Sequence, residues 1–299
     1  MIFDNLVGNN NIKEILKESL KNNNVVHSYL FYGEEGIGKK EFAIQFSKGL
    51  LCMSEENKPC NICKSCIEFD SDNNPDFFII EPDGNSIKIN QIRLFQKSIL
   101  EKPINSRRKI YIINDADKMT VEAQNCLLKT LEEPQEFIVI ILIAADENKL
   151  LNTVKSRCTK IFFQKLKNDE VLSYIQGKNC DVHFDENMLE LCEGSIGKAL
   201  NILNQKAEIE KLKMIVEQMD IMNELELLNC NEFFYENKDT INFLLDYMYI
   251  LFFKKLKLNH DKKYINAMEE VQRAKQKLAN SNNFDMTIDN MLIKIWGEF

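Results

Sequence analysis

The sequence is short of positive charge. It sets 38 Lys and Arg against 46 Asp and Glu, so the 299-residue chain carries a formal charge of −8, with an isoelectric point near 5.2. Proteins that hold duplex nucleic acid unaided carry a basic face and gain affinity by displacing counterions from phosphates. The charge balance therefore points to a protein partner, with any contact to DNA confined to local patches. Proline and glycine are also scarce, at 5 and 10 residues, which excludes long flexible or low-complexity linkers. No apolar run approaches the roughly 20 residues of a membrane span. The longest covers residues 137–145, and the run at 243–253 is broken by Asp246 and followed by lysines. Residues 1–7 lack the basic flank and apolar stretch of an export signal, so the expected location is the cytoplasm, with no membrane contact. Cysteine is the exception to this scarcity. An odd count of nine without an export signal points to reduced thiols and metal ligands rather than disulfides. Cys126, Cys158, Cys180, Cys192 and Cys230 stand singly and read as small buried hydrophobes.

The apolar periodicity changes along the chain. Residues 28–32, 76–80, 109–113, 137–144 and 160–163 read as strands. Helices alternate with them. Ile12, Ile15, Leu16 and Leu20 share one face, as do Phe42, Phe46 and Leu50, and Ile92, Phe95 and Ile99, and a helix over 121–132 stops at Pro134. Near-continuous apolar strands separated by helices predict a parallel sheet covered on both faces. Beyond about residue 164 the strands cease. Residues 169–176, 186–192 and 198–204 read as short helices, and the chain is helical from about 207. In the last helix Ile288, Met291, Leu292, Ile295 and Trp296 follow the spacing of an amphipathic face. The length suits more than one domain. The expected fold is an α/β P-loop-type domain over 1–163 with an insertion at 52–66, a helical lid at 164–206, and an all-α domain at 207–299.

Between the first strand and the next helix lies Gly33-Glu34-Glu35-Gly36-Ile37-Gly38-Lys39-Lys40. It matches the phosphate-binding G-x-x-x-x-G-K pattern, with Lys40 where Ser or Thr belongs. Gly33, Gly36 and Gly38 let backbone N–H groups turn around a phosphate at a helix N-terminus, and Lys39 would reach the terminal phosphates. The missing hydroxyl is the one that ligates Mg²⁺, and a charged lysine ligates no metal. The second metal-holding element, acidic residues at the end of a later apolar strand, falls on Asn114-Asp115. Asn114 keeps an oxygen without the charge, and Asp115 is one methylene shorter than the usual water-activating Glu. Sliding the register by one leaves Ala116 in place of the base. The expectation is a site that holds ATP or ADP without hydrolysing it.

Cys52, Cys60, Cys63 and Cys66 fall within fifteen residues. Four thiolates in that span can close a tetrahedral zinc site with no open position for catalysis. Cys52 ends the helix after the P-loop, and the other three belong to the loop around 58–65, so one zinc ion would staple a loop excursion to a helix. A cluster of redox thiols is the competing reading, disfavoured in a reducing compartment.

Four further segments carry a resemblance. Phe3-Asp4-Asn5-Leu6-Val7-Gly8-Asn9 resembles the box near the adenine in clamp-loader AAA+ subunits. His27-Ser28-Tyr29-Leu30-Phe31 is similar to the strand that enters their P-loop. Leu127-Leu128-Lys129-Thr130-Leu131-Glu132-Glu133-Pro134 resembles their most diagnostic helix, and Ser156-Arg157-Cys158 their SRC motif. Over roughly the first 160 residues the chain thus resembles the AAA+ clamp-loader family of bacterial DNA polymerase III. The resemblance implies an AAA+ domain, a helical lid and a helical collar for oligomerisation. It also implies a component of the holoenzyme that loads the sliding clamp onto primed DNA.

The departures from the family's motor subunits are specific. Ala144-Ala145 stands where they carry a sensor threonine. Gly194-Ser195-Ile196-Gly197-Lys198 stands where they place a sensor arginine, with Lys198 one position late. These departures suit the family's subunit with a degenerate site and no ATPase of its own. In the family the SRC arginine, here Arg157, points at the γ-phosphate held by the next subunit. Arginine fingers supplied in trans contribute about 10³–10⁵ in rate in analogous NTPases. Taken alone, Arg157 would read as a strand-start arginine paired with a surface carboxylate. The implied partners are the motor subunits (gamma/tau), the delta subunit, transiently the sliding clamp, and primer-template DNA through the complex, with Lys129 a candidate DNA contact. Two competing readings remain. An active gamma/tau-like ATPase is opposed by Lys40, Asn114 and Ala145. A zinc-dependent nucleic-acid-binding module is opposed by the net charge.

Overall fold

The computed structural model describes residues 2–178, 184, 186–280 and 283–299; Cys180 lies outside them. The chain forms two compact units. The first comprises 1–174 with 194–197, and the second 175–193 with 198–299.

In the first unit, α1 (Asn10–Lys21), β1 (Ser28–Tyr32), α2 (Lys39–Leu51), α3 (Lys64–Asp70), β2 (Phe77–Ile80) and α4 (Ile89–Ser98) are followed by β3 (Lys109–Ile113), α5 (Val121–Glu132), β4 (Ile138–Ala144), α6 (Asn152–Lys155) and β5 (Thr159–Phe162). The strands form one sheet in the order β2-β3-β4-β1-β5, and each neighbouring pair is parallel. Period-two alternation sends side chains to opposite faces. Tyr29 and Phe31, Ile110 and Ile112, and Val139, Ile141 and Ile143 meet Leu16 of α1 and Phe42 and Phe46 of α2. Leu30, Tyr111, Ile113, Ile140 and Leu142 meet Ile92 and Phe95 of α4 and Leu127 and Leu131 of α5 on the other face. Every residue of β4 is buried, as a central strand covered on both sides requires. Thr120 caps α5 by accepting the N–H of Ala123, which fixes its start.

Several sequence expectations shift at their edges: the strands expected at 76–80 and 137–144 begin one residue later, at Phe77 and Ile138, and the helices expected at 169–176 and 198–204 run over Asn168–Lys178 and Ile196–Asn204. The last strand spans 159–162 rather than 160–163, because Thr159 pairs with Tyr29 in the ladder. Lys64–Asp70 forms a helix that the cysteine spacing had marked as loop, so Cys66 sits in α3.

In the second unit, α8 (Glu186–Cys192), α10 (Lys206–Gln218), α11 (Glu224–Glu236), α12 (Ile241–Asn259), α13 (Lys262–Ala279) and α14 (Phe284–Trp296) pack around α12 and α14; α7 (Asn168–Lys178) and α9 (Ile196–Asn204) cross the unit boundary. Ile288, Met291, Leu292 and Ile295 are buried along one face of α14. Trp296 donates its indole N–H to the Met222 carbonyl at 3.0 Å. Among the described residues no helix is long and apolar enough to cross a membrane.

Asp76, fully buried just before β2, ties several segments of the first unit together. Its carboxylate accepts the backbone N–H groups of Ile104, Asn105 and Ser106 at 2.7–2.8 Å. Ser106 Oγ in turn donates to the Leu51 carbonyl at 3.1 Å and lies 3.0 Å from Ser65 Oγ. Removing the carboxylate leaves three part-buried backbone donors without their acceptor, each bond to a charged acceptor being worth about 1.5–3 kcal/mol. Asp76→Ala is expected to cost about 2–4 kcal/mol of unfolding free energy in urea denaturation, and a loss below about 1 kcal/mol would contradict this account.

Candidate functional site

β1 ends at Tyr32 and α2 begins at Lys39, so the Gly33–Gly38 turn lies at the C-terminal edge of the sheet, where parallel sheets present ligand crevices. Glu35, Gly36 and Gly38 donate no backbone N–H to a backbone acceptor among the described residues. Unpaired N–H groups at a helix N-terminus are the kind of donor a phosphate group could take. Lys39 is buried, and its ammonium turns back to donate to the carbonyls of Gly33 and Glu34. Burial pushes its pKa down, while Asp117, Glu35, Asp115 and Glu34 push the other way.

The outward carbonyls of the loop also need partners. The segment 194–197 supplies them. Ser195 Oγ donates to the Glu35 carbonyl at 3.1 Å, and the Gly197 N–H donates to the Gly36 carbonyl at 2.9 Å. The approach is close enough that a Cβ on Gly36 would lie 2.3 Å from Ser195 Oγ and 3.1 Å from Gly197 Cα, and the φ of Gly36 is +75°. The sequence marked this segment for a missing arginine. It gave no sign of the backbone latch, because a carbonyl's partner leaves no side-chain pattern.

At the metal-ligand position, the Lys40 ammonium forms a 2.7 Å ion pair with Glu81, the residue after β2. Asn114, next after β3, donates its N–H to the Ile80 carbonyl at 2.9 Å. Asp115 pairs with Lys118 at 2.9 Å, and Asp117 accepts the Ala145 N–H at 3.1 Å. The P-loop, Asn114 and Asp115 are therefore brought to one edge as the motif spacing implied. Glu81 and Asp117 join them without having been singled out. Asp117 was legible in principle, lying two residues beyond Asp115 in the same acidic run. Lys198 ion-pairs with Glu193.

Arg157 lies at the opposite edge, two residues before β5. Ser28 Oγ holds its carbonyl at 2.7 Å. Its guanidinium makes a 2.6 Å ion pair with Glu132 and donates to the Thr153 carbonyl at 2.8 Å. Two of the quoted motifs, the helix ending at Pro134 and Ser-Arg-Cys, are thus joined by a salt bridge. Lys129 is exposed on the same helix. Burial pushes the neighbouring Cys158 thiol up to about 11.

The four clustered cysteines meet, with their sulfurs all within 4.8 Å of one another. A tetrahedral zinc with Zn–S near 2.3 Å needs sulfurs about 3.8 Å apart, so small side-chain rotations would suffice. Cys52 follows α2, and Cys66 lies in α3. The Cys60 N–H donates to Cys52 Sγ at 3.3 Å and the Cys63 N–H to Cys60 Sγ at 3.4 Å. Backbone N–H groups of Ile62 and Cys63 lower the Cys60 thiol to about 6, whereas burial raises Cys52 and Cys66. The cluster could hold a metal ion, and its all-sulfur donor set is compatible with zinc.

The latch makes a quantitative prediction. Gly36→Ala should destabilise the protein by about 1–3 kcal/mol, through its positive φ and the collision with Ser195. Ser195→Ala in the same background should recover part of that loss. An undisturbed thermal midpoint in Gly36→Ala, or no recovery in the double variant, would count against the latch.

Comparison with known proteins places these features. A family model described as DNA polymerase III, delta subunit, matches residues 8–167. The chain is 30% identical over 213 residues to DNA polymerase III subunit delta' of Bacillus subtilis, across 71% of this chain and 64% of that protein. It is 30% identical over 223 residues to DNA polymerase III subunit gamma/tau of Mycoplasma pneumoniae, across 71% of this chain and 32% of that protein. The match therefore spans about two thirds and one third of these relatives. Among solved structures, a DNA polymerase III gamma subunit-related protein from Thermotoga maritima superposes with a TM-score of 0.52 at 21% identity, covering 95% of this chain and 99% of that one. This last likeness establishes the fold alone.

Proposed function

The chain belongs to the delta-prime-like clamp-loader family of bacterial DNA polymerase III, and from that premise we propose that it is a ring subunit which does not hydrolyse ATP itself but lends Arg157 to the site of a neighbour. In this reading it serves, in the cytoplasm, the complex that loads the sliding clamp onto primed DNA. Its partners are gamma/tau-type motor subunits, the delta subunit and transiently the clamp, with primer-template DNA reached through the complex. Residues 207–299 would act as the collar and 164–206 as the lid.

One contrast carries the proposal. At its own nucleotide edge, the position that should ligate Mg²⁺ holds Lys40, committed to Glu81, and Asn114 offers no charge. At the other edge Arg157 has, among the described residues, one carboxylate partner, the partly exposed Glu132, beside the Thr153 carbonyl, a pairing of the kind that is worth little in water and that a phosphate could replace. A guanidinium is always charged and grips phosphate oxygens in a planar, bidentate way. The cradle of Gly33, Gly36, Gly38 and Lys39 would still hold ATP or ADP without organising a metal for hydrolysis.

Zinc at Cys52, Cys60, Cys63 and Cys66 would close the excursion after α2. Its role would be structural, because four thiolates fill the coordination sphere. Protein purified without chelator should carry about one zinc per chain, and Cys66→Ser should lower both metal content and thermal midpoint. Stoichiometric absence of zinc would end this part of the proposal.

The trans role is tested in the reconstituted loader. Arg157→Ala should reduce hydrolysis at the dependent site on the order of 10³-fold, so total ATPase falls by the share of that site, with assembly and the fold of this chain unchanged. Undiminished ATPase in a fully assembled complex would refute it.

A further inference from the structure

The edge that carries Arg157 also carries a hollow of about 500 Å³, lined among others by His27, Ser28, Arg108, Glu136, Ser156 and Arg157. Arg108 stands one residue ahead of β3 and has no part in the motifs described above. Its guanidinium is half-buried, and burial pushes its pKa down, which marks a charge held at a cost. Among the described residues its side chain has one hydrogen-bond partner, the neutral Asn23 Oδ1 at 3.1 Å, and no carboxylate within ion-pairing distance. The other cations nearby differ. Arg107 pairs with Glu55 at 3.1 Å, and Arg157 with Glu132. Glu136, a carboxylate lining the hollow, is exposed, and the ion pairs among the described residues join Arg157 to Glu132 rather than to it. A partly desolvated guanidinium without a counter-ion is unfavourable unless an anion arrives to meet it. A volume of about 500 Å³ leaves room for the end of a triphosphate chain.

We propose that Arg108 is a second arginine of the trans site: in the assembled loader it and Arg157 together meet the terminal phosphate of a nucleoside triphosphate held by the adjacent subunit, and Arg157 exchanges Glu132 for that phosphate. This rests on the trans reading of Arg157 above. In the reaction itself a water oxygen bonds to the γ-phosphorus and the bond to the β–γ bridging oxygen breaks. The nucleoside diphosphate leaves with the bridging oxygen and its electron pair, and the proton of the water passes to solvent. The two guanidinium groups neutralise the charge that spreads over the γ-oxygens in the transition state. Arg108 would therefore act on the rate more than on nucleotide affinity, which belongs to the P-loop of the neighbour.

The test uses the complete reconstituted loader with this chain as wild type, Arg108→Ala, Arg108→Lys, Arg157→Ala and the double alanine variant. Steady-state ATPase, subunit stoichiometry and the thermal midpoint of the chain are measured for each. Arg108→Ala should lower kcat at the dependent site roughly 10- to 100-fold, leave KM for ATP, assembly and midpoint unchanged, and be partly rescued by Arg108→Lys. The double variant should lose less than the product of the single losses, as groups acting on one phosphate do. Full ATPase with Arg108→Ala beside a loss with Arg157→Ala would overturn the inference and leave the trans reading standing. Full ATPase with both would overturn both. A lost rate accompanied by lost assembly or a lowered midpoint would assign Arg108 a structural role and overturn the inference as well.

Discussion

A parallel sheet buried on both faces leaves only the ends of its strands free for chemistry, and this constraint organises the first unit. β4 is wholly buried and helices cover both faces. The C-terminal ends of the strands deliver Gly33, Glu81, Asn114 and Ala145 to one edge. The N-terminal ends deliver His27, Arg108, Glu136 and Arg157 to the other. One chain can thus offer a phosphate cradle at one edge and guanidinium groups at the opposite one, which is what a ring of such subunits needs if each site is to be completed by the next.

Within the cradle, a second constraint operates. Turning N–H groups inwards turns carbonyls outwards, and buried carbonyls must be paired. Lys39, Ser195 and Gly197 meet that demand. The loop is held in shape from outside, so the altered metal positions need not distort it. In the proposed reading, Lys40 and Asn114 would change what the site can do with a nucleotide while leaving the loop backbone as it is.

Much of this was legible in the sequence, for identifiable reasons. Residues 28–32 and 109–113 and the helix 121–132 match their expected bounds because the apolar strand runs meet Gly33 and Asn114-Asp115, and the helical pattern meets Pro134. The four cysteines were recognisable by spacing, and their sulfurs do meet. The helix carrying Cys66 was not foreseen. It is seven residues long and buries only Ser65, Cys66 and Phe69, too few positions for a helical period to emerge. The pairs Lys40–Glu81 and Arg157–Glu132 join residues far apart in sequence, and no local pattern announces them. The latch of Ser195 and Gly197 on the P-loop, and the lack of a counter-ion at Arg108 among the described residues, concern partners rather than residue types. Such features become visible only once the chain is folded.

The central claim is that this chain completes catalysis in another site while performing none in its own. The most direct measurement titrates a gamma/tau-type motor subunit, in the presence of the delta subunit, with this chain and follows ATPase. The account predicts no turnover by the chain alone and a stimulation of the motor that saturates at stoichiometric chain. Lys39-dependent hydrolysis by the purified chain on its own would contradict it, as would a motor whose rate is indifferent to the addition.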